Sequence, residues 1–243
     1  MEDHIHGPRR TELFIEGGKT MDLMTIIDAY VAERQAHDTA ERSQVDKFRM
    51  SDAGKCRLMR YWKRQGKPAS APISPEALRQ MQAGLILHDF LGQVIAAHFL
   101  TNGATRLEGE LQDEHRIGHY DVWVQTVNGS ILYDLKTVKG KEANYLEKYG
   151  KEAKRQHQYQ IVSYASLLDP RPDELRVAYI DRETLRVVQE YQVCFNLLIQ
   201  EVHADWDILI GAWNAQVEPD ANPDDTWECK FCAYRDSCPS CVK

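Results

Sequence analysis

No run in this 243-residue chain is apolar for long enough to cross a bilayer, and Met1-Glu2-Asp3-His4 does not open a basic-then-apolar leader. The expected location is therefore cytoplasmic, with no membrane partner. A glycine-rich phosphate loop is missing, which argues against ATP-driven chemistry, and there is no internal repeat or low-complexity tract. Overall positive charge is missing too, since the net charge is −7. A general polyanion binder is disfavoured on that count.

The charge that is present is unevenly placed. Six basic residues, Lys55, Arg57, Arg60, Lys63, Arg64 and Lys67, fall between Ala53 and Pro75 with no acidic residue among them. Local potential matters more to a phosphate backbone than the total does. A second basic set, Lys136, Lys139, Lys141, Lys148, Lys151, Lys154 and Arg155, is diluted by Glu142, Glu147 and Glu152. With 43% hydrophobic residues, the chain can bury one substantial core and carry a small appendage.

Six cysteines without a secretion signal suggest thiol or metal chemistry rather than a disulfide framework. Cys56 stands alone, Cys194 ends an apolar strand and is expected to be an inert core residue, and Cys229, Cys232, Cys238 and Cys241 crowd the end.

Apolar spacing predicts a helix after Thr20 (Leu23, Met24, Ile27, Tyr30, Val31), a short helix over 55–64, and a long one from Pro75 to about Leu100, with Ser74 as its N-cap. Strands are expected over 104–111, 175–180 and 185–193, and helices over 151–168 and 195–217, the last capped at Asn196. Leu13-Phe14-Ile15 is a possible docking segment in a loosely ordered start. The expected fold class is α/β, a small central mixed sheet flanked by helices, with a C-terminal cysteine-rich appendage. The expected division is an N-terminal helical extension over 1–50, a core over 51–217 and a cysteine-rich segment over 218–243.

The stretch from Gly118 to Lys136 carries the chemistry. Val122 and Val124 alternate with polar residues, Asn128-Gly129 favours a type I′ turn, and Ile131-Leu132-Tyr133 resumes the apolar pattern, so a β-hairpin is expected. Asp121 would open its first strand. Asp134 and Lys136, two apart, share a side of the second. Carboxylates of this kind suit Mg²⁺ or Mn²⁺, and a neighbouring ammonium can help deprotonate a bound water. An ordinary surface ion pair on a strand would give the same Asp-x-Lys pattern.

Taken in order, Gly84-x-x-x-His88, Gly118-x-x-Asp121, Asp134-x-Lys136 and Gln160-x-x-x-Tyr164 resemble the RecB-like branch of the PD-(D/E)XK nucleases. With Cys56 and Cys229-x-x-Cys232-x5-Cys238 added, the chain is similar to the CRISPR-associated and phage iron–sulfur exonucleases of that branch. The resemblance implies a restriction-endonuclease-like core. It also implies a metal held by His88, Asp121, Asp134 and the Leu135 carbonyl, with Lys136 assisting the attacking water. Gln160 and Tyr164 would hold the scissile strand, and a [4Fe–4S] cluster would sit on Cys56, Cys229, Cys232 and Cys238. Cys241 departs from that pattern and keeps open a Zn²⁺ site built from two C-x-x-C pairs.

The function expected is metal-dependent exonuclease action on DNA ends or single strands, which would run along Arg57, Arg60 and Lys63 near Cys56. Candidate partners are DNA and a CRISPR integrase or phage recombination proteins. Glu108 or Glu110 on the preceding strand is a possible further oxygen donor, and His157 a possible DNA contact. A non-catalytic DNA-end-binding or adaptor module on the same fold is the alternative.

Overall fold

The computed structural model describes residues 22–43, 46–71, 73–99, 103–224 and 226–241. Leu13-Phe14-Ile15 lies outside the described residues. The chain runs α1 (Leu23–Ser43), β1 (Phe48–Arg49), a 3-10 turn (Met50–Asp52), α2 (Arg57–Arg64), α3 (Pro75–Phe99), β2 (Gly103–Gln112), β3 (Arg116–Thr126) and β4 (Gly129–Val138). It continues through α4 (Gly140–Tyr149), α5 (Arg155–Ala165), β5 (Glu174–Asp181), β6 (Val187–Val193), α6 (Phe195–Asn214) and α7 (Thr226–Phe231). This is a mixed α/β fold whose single sheet is flanked by helices.

β2 runs antiparallel along one edge of β3 from Gly103↔Thr126 to Gln112↔Ile117. The other edge of β3 is shared. β1 pairs with it in parallel at Arg116 and Ile117, and β4 pairs antiparallel from Thr126↔Gly129 to Val122↔Tyr133. Between those two ladders, Gly118 to Asp121 have no partner strand on that edge. Past Tyr133, β4 parts from β3 and stays with β5, parallel from Ile131↔Glu174 to Val138↔Asp181. β6 closes the far edge, antiparallel to β5. The sheet thus opens at the residues that carry the acidic groups.

Alternation along the strands sorts the core into two faces. Val122, Val124, Leu135, Ala178 and Ile180 pack with Leu91 and Ile95 of α3. On the other side Leu132, Val177 and Tyr179 join Ile161 and Val162 of α5 and Trp206 of α6. Each such aliphatic residue taken fully from water contributes about 1.5–3 kcal/mol.

Several local expectations are corrected. Asp121 lies in the middle of β3, not at its start. The hairpin turn is not type I′, because Asn128 is not among the left-handed residues and positive φ falls only on the following Gly129, at 133°. The helix expected over 151–168 begins at Arg155, and a separate α4 precedes it. With only Ala143 and Leu146 buried, α4 shows almost no apolar stripe. Asn196 lies inside α6, whose N-cap position is Cys194. Cys194 itself is exposed rather than buried, since the alternation that buries Val193 turns the next side chain outward.

Candidate active site

Where β4 leaves β3, the Leu135 N–H has no strand to donate to. It donates instead to Asp121 Oδ2 at 2.6 Å. His88, on α3, brings Nε2 to 2.9 Å from the same Oδ2 and 3.1 Å from the Leu135 carbonyl. Imidazole, carboxylate and main-chain carbonyl therefore surround one point in the opening. Their spacing matches the ~3.0 Å that separates neighbouring ligands of an octahedral hard cation with ~2.1 Å bonds.

Burial disfavours a charged His88, but its hydrogen bonds to Asp121 and Glu108 outweigh that and raise it to about 10. A proton on Nε2 thus lies where a cation would compete for the same oxygens. Gly84, one turn earlier on α3, is not demanded by space, because an added Cβ would meet only Thr137 Oγ1 at 3.5 Å.

Asp134 and Lys136 lie on the α5 side of β4. Burial pushes the Asp134 carboxyl above the usual range, the nearby charge of Asp121 adds to the effect, and Lys136 opposes it. Asp134 Oδ1 accepts from Lys136 Nζ at 2.9 Å, while its buried Oδ2 has no hydrogen-bond partner. An ionised buried oxygen left unpaired is costly, and either a proton or a divalent cation would satisfy it. The donor set fits such an ion. Lys136 Nζ also donates to Gln160 Oε1 at 3.1 Å, and Gln160 Nε2 donates to the Tyr164 hydroxyl at 3.1 Å. Four apart on α5, Gln160 and Tyr164 share a face, and both are buried. Gly118 lets Tyr164 come close, since a Cβ there would lie 2.8 Å from Tyr164 Cε1.

Glu108 joins this group. Its Oε1 is 3.4 Å from His88 Nδ1, and it adopts a left-handed backbone, φ 48°, where the β2–β3 pairing is interrupted between Leu107↔Val122 and Gly109↔Tyr120. That conformation is uncommon for a glutamate and is held by its neighbours. His88, Glu108 and Asp121 have ligand atoms all within 4.8 Å of one another. Glu110 instead faces His119 at 3.5 Å. His157 is held neutral by burial and by Lys136, and its Nδ1 lies 2.8 Å from the Tyr179 hydroxyl.

A profile of the PD-(D/E)XK nuclease superfamily matches residues 17–239. The chain belongs to the PD-(D/E)XK nuclease superfamily. No curated protein matches it in sequence. Among solved structures, SSO0001 is similar with a TM-score of 0.57 and 18% identity, over 90% of this chain and 98% of that one. LHK-Exo, an alkaline exonuclease from Laribacter hongkongensis also solved in complex with dAMP, is similar with a TM-score of 0.50 and 14% identity, over 71% of this chain and 90% of its own. At such identities the likeness concerns the fold. Among the described residues, no helix of this PD-(D/E)XK protein is long and apolar enough to cross a membrane.

The basic stretch of this PD-(D/E)XK chain is largely committed to structure. Arg60 is 2% exposed, pairs with Asp205 at 2.5 Å and stacks 4.7 Å from the Trp206 ring, so the phosphate contact expected of it has no surface to act from. Arg57 lies 3.3 Å from the same Asp205 and is only partly accessible. Lys63 is exposed and shares Asp52 with Lys55, at 2.5 and 2.8 Å. Asp205 lies 145 residues from Arg60, and no local spacing announces it, whereas Asp52 is a near neighbour of both lysines.

The cysteines expected to act together are brought together. The Cys56 N–H donates to Glu228 Oε1 at 2.9 Å and the Arg57 N–H to Asn222 Oδ1 at 2.7 Å, tying the start of α2 to the C-terminal segment. Burial raises the Cys232 thiol, with Cys56, Cys238 and Cys229 near enough to add to the effect. Cys241 is raised by burial and by hydrogen bonds with Cys229 and Cys238. Among the described residues, no three of these sulfurs lie within 4.8 Å of one another.

Proposed function

We propose that this PD-(D/E)XK protein is a Mg²⁺- or Mn²⁺-dependent DNA exonuclease that works on ends or single strands in the cytoplasm. The observation that carries the reading is the opening between β3 and β4, where His88, Asp121, Glu108 and the Leu135 carbonyl meet, with Asp134 on the neighbouring strand paired to Lys136 and its second oxygen unpartnered. When bound there, the cation supplies Lewis-acid activation of water and balances charge on the phosphate. Lys136, steered by Asp134 and Gln160, puts a second positive charge at the scissile group and can take part in proton transfer. Gln160 holds Lys136 on line and is itself held by Tyr164; buried as they are, the two position Lys136 rather than touch the strand.

A thiolate-bound [4Fe–4S] cluster on Cys56, Cys229, Cys232 and Cys238 goes with this reading. Tetrahedral zinc with ~2.3 Å bonds draws its sulfurs to ~3.8 Å. Cys241, whose thiol hydrogen-bonds with Cys229 and Cys238, is the fourth sulfur of that alternative. The resemblance to the iron–sulfur branch supports a place in CRISPR adaptation, phage recombination or repair.

Digestion of end-labelled single-stranded and duplex DNA with Mn²⁺ or Mg²⁺ tests the activity. Cleavage that persists undiminished in both Asp134→Ala and Lys136→Ala would discard it. An anaerobic spectrum with iron and zinc analysis tests the cluster, whose thiolate-to-iron bands fall near ~400 nm. A colourless, zinc-loaded protein would replace it with the zinc site.

A further inference from the structure

Beyond the catalytic opening, one groove of about 940 Å³ runs from Glu108, Gly118 and Tyr164 to the cysteine-rich end. Its far wall carries Trp227 and Phe231, four apart on α7 and so on one face. The two rings are 6.1 Å apart at 60°, an edge-to-face arrangement that does not cover both of their faces. Trp227 is 43% exposed and Phe231 80% exposed. Two large aromatic side chains held open side by side on one helical turn are not explained by core packing.

The groove around them is positive. Lys55 and Lys63 are answered by one carboxylate, Asp52, and Lys67 adds its ammonium, 3.3 Å from the Trp62 ring centroid. The acidic Glu228 in the same wall is taken up by the backbone N–H groups of Cys56 and Asp224, both at 2.9 Å. Open aromatic faces beside ammonium groups suit unpaired bases on a phosphate backbone. A paired duplex keeps its base faces stacked inside, whereas a single strand can offer them.

We propose that Trp227 and Phe231 form a base-stacking platform that grips single-stranded nucleic acid and feeds it along the lysine-lined groove to the catalytic opening. The proposal rests on the nuclease reading and adds a gripping site to it, one that takes an unpaired strand without regard to sequence. Stacking supplies the grip, the lysines hold the phosphates, and the bond from the Cys56 N–H to Glu228 on α7 fixes where the platform stands.

The test is equilibrium binding of a labelled oligothymidine to the full-length protein in metal-free buffer, so that cleavage plays no part. Phe231→Ala and the Trp227→Ala/Phe231→Ala pair should bind at least ~10-fold more weakly, and Trp227→Phe/Phe231→Tyr should retain binding. Wild type should bind an abasic strand of equal charge about as weakly as the double alanine variant binds the intact one. Equal affinity of wild type and double alanine variant for the intact strand would overturn the platform, as would a wild-type preference for blunt duplex. Cleavage with Mg²⁺ or Mn²⁺ is followed separately. A wild type that cuts but binds without regard to the rings sinks the platform alone, whereas one that binds through the rings and never cuts sinks the nuclease alone.

Discussion

The catalytic opening and the cysteine-rich end are both sites where side chains from distant segments converge, but they are held by different means. At the opening, main chain does the positioning: β4 leaves β3 yet stays in an eight-residue ladder with β5, so Asp134, Leu135 and Lys136 are placed by the sheet. At the cysteine-rich end the ties are a few single hydrogen bonds, such as Cys56 to Glu228 and the Ser70 and Ala71 N–H groups to the Ala233 carbonyl. Among the described residues there, Tyr234, packed on Trp62, is the one buried large side chain. A site built on strands tolerates loss of its ion, whereas one built on thiols and a short helix depends on what the thiols bind.

The sharpest way to break this comparison is at Lys136 and Asp134. Either alanine variant should lose about 10³-fold or more in cleavage rate while its melting temperature stays near wild type, read by parallel digestion and thermal melts. Chelation of a weakly bound divalent ion should act likewise, stopping cleavage and leaving the melt almost unmoved.

Cys56→Ser should do the opposite. If the proposed cluster is bound there, its loss should bleach the protein and cost roughly 3 kcal/mol, about 6–12 °C in a protein of this size. A Cys56→Ser protein that melts like wild type would show that the two ends of the chain are joined by packing alone.

Asp52 sits between the regions and sharpens the comparison through pH. It is buried, which disfavours its charge, but Lys55 and Lys63 hold its pKa well below the usual carboxylate range. Because the folded value is depressed, its contribution is present above the unfolded value near 3.8 and is lost as pH falls toward the folded one. Asp52→Asn should therefore cost about 2 kcal/mol at neutral pH, discounted for two partly exposed lysines, and the gap from wild type should shrink in acid. Urea melts at a series of pH values would measure it. The smallest effect is expected at Cys194: exposed and outside the thiol group, Cys194→Ser should change stability by no more than ~0.5 kcal/mol and leave the absorption spectrum as it was.

Much of the fold was legible in short-range pattern. The apolar positions of α3, the alternation around Val122 and Val124 and the two-residue spacing of Asp134 and Lys136 all declare themselves within a few residues. α4 did not, because Ala143 and Leu146 are its only buried positions amid lysines and glutamates. The basic run misled for a related reason. Arg60 looks like a surface cation until Asp205, 145 residues away, is found beside it.

By itself, the sequence determined which groups could bind and react, an imidazole, two carboxylates, an ammonium and a set of thiols, and the order of the elements that carry them. Only the tertiary structure decided that β3 and β4 separate where they do, that Glu108 turns toward His88, and that Trp227 and Phe231 stand open over a lysine-lined groove. Periodicity is written in neighbours. The meeting of His88 with Asp121 spans 33 residues and that of Cys56 with Glu228 spans 172, distances at which only packing and strand register determine which side chains come together.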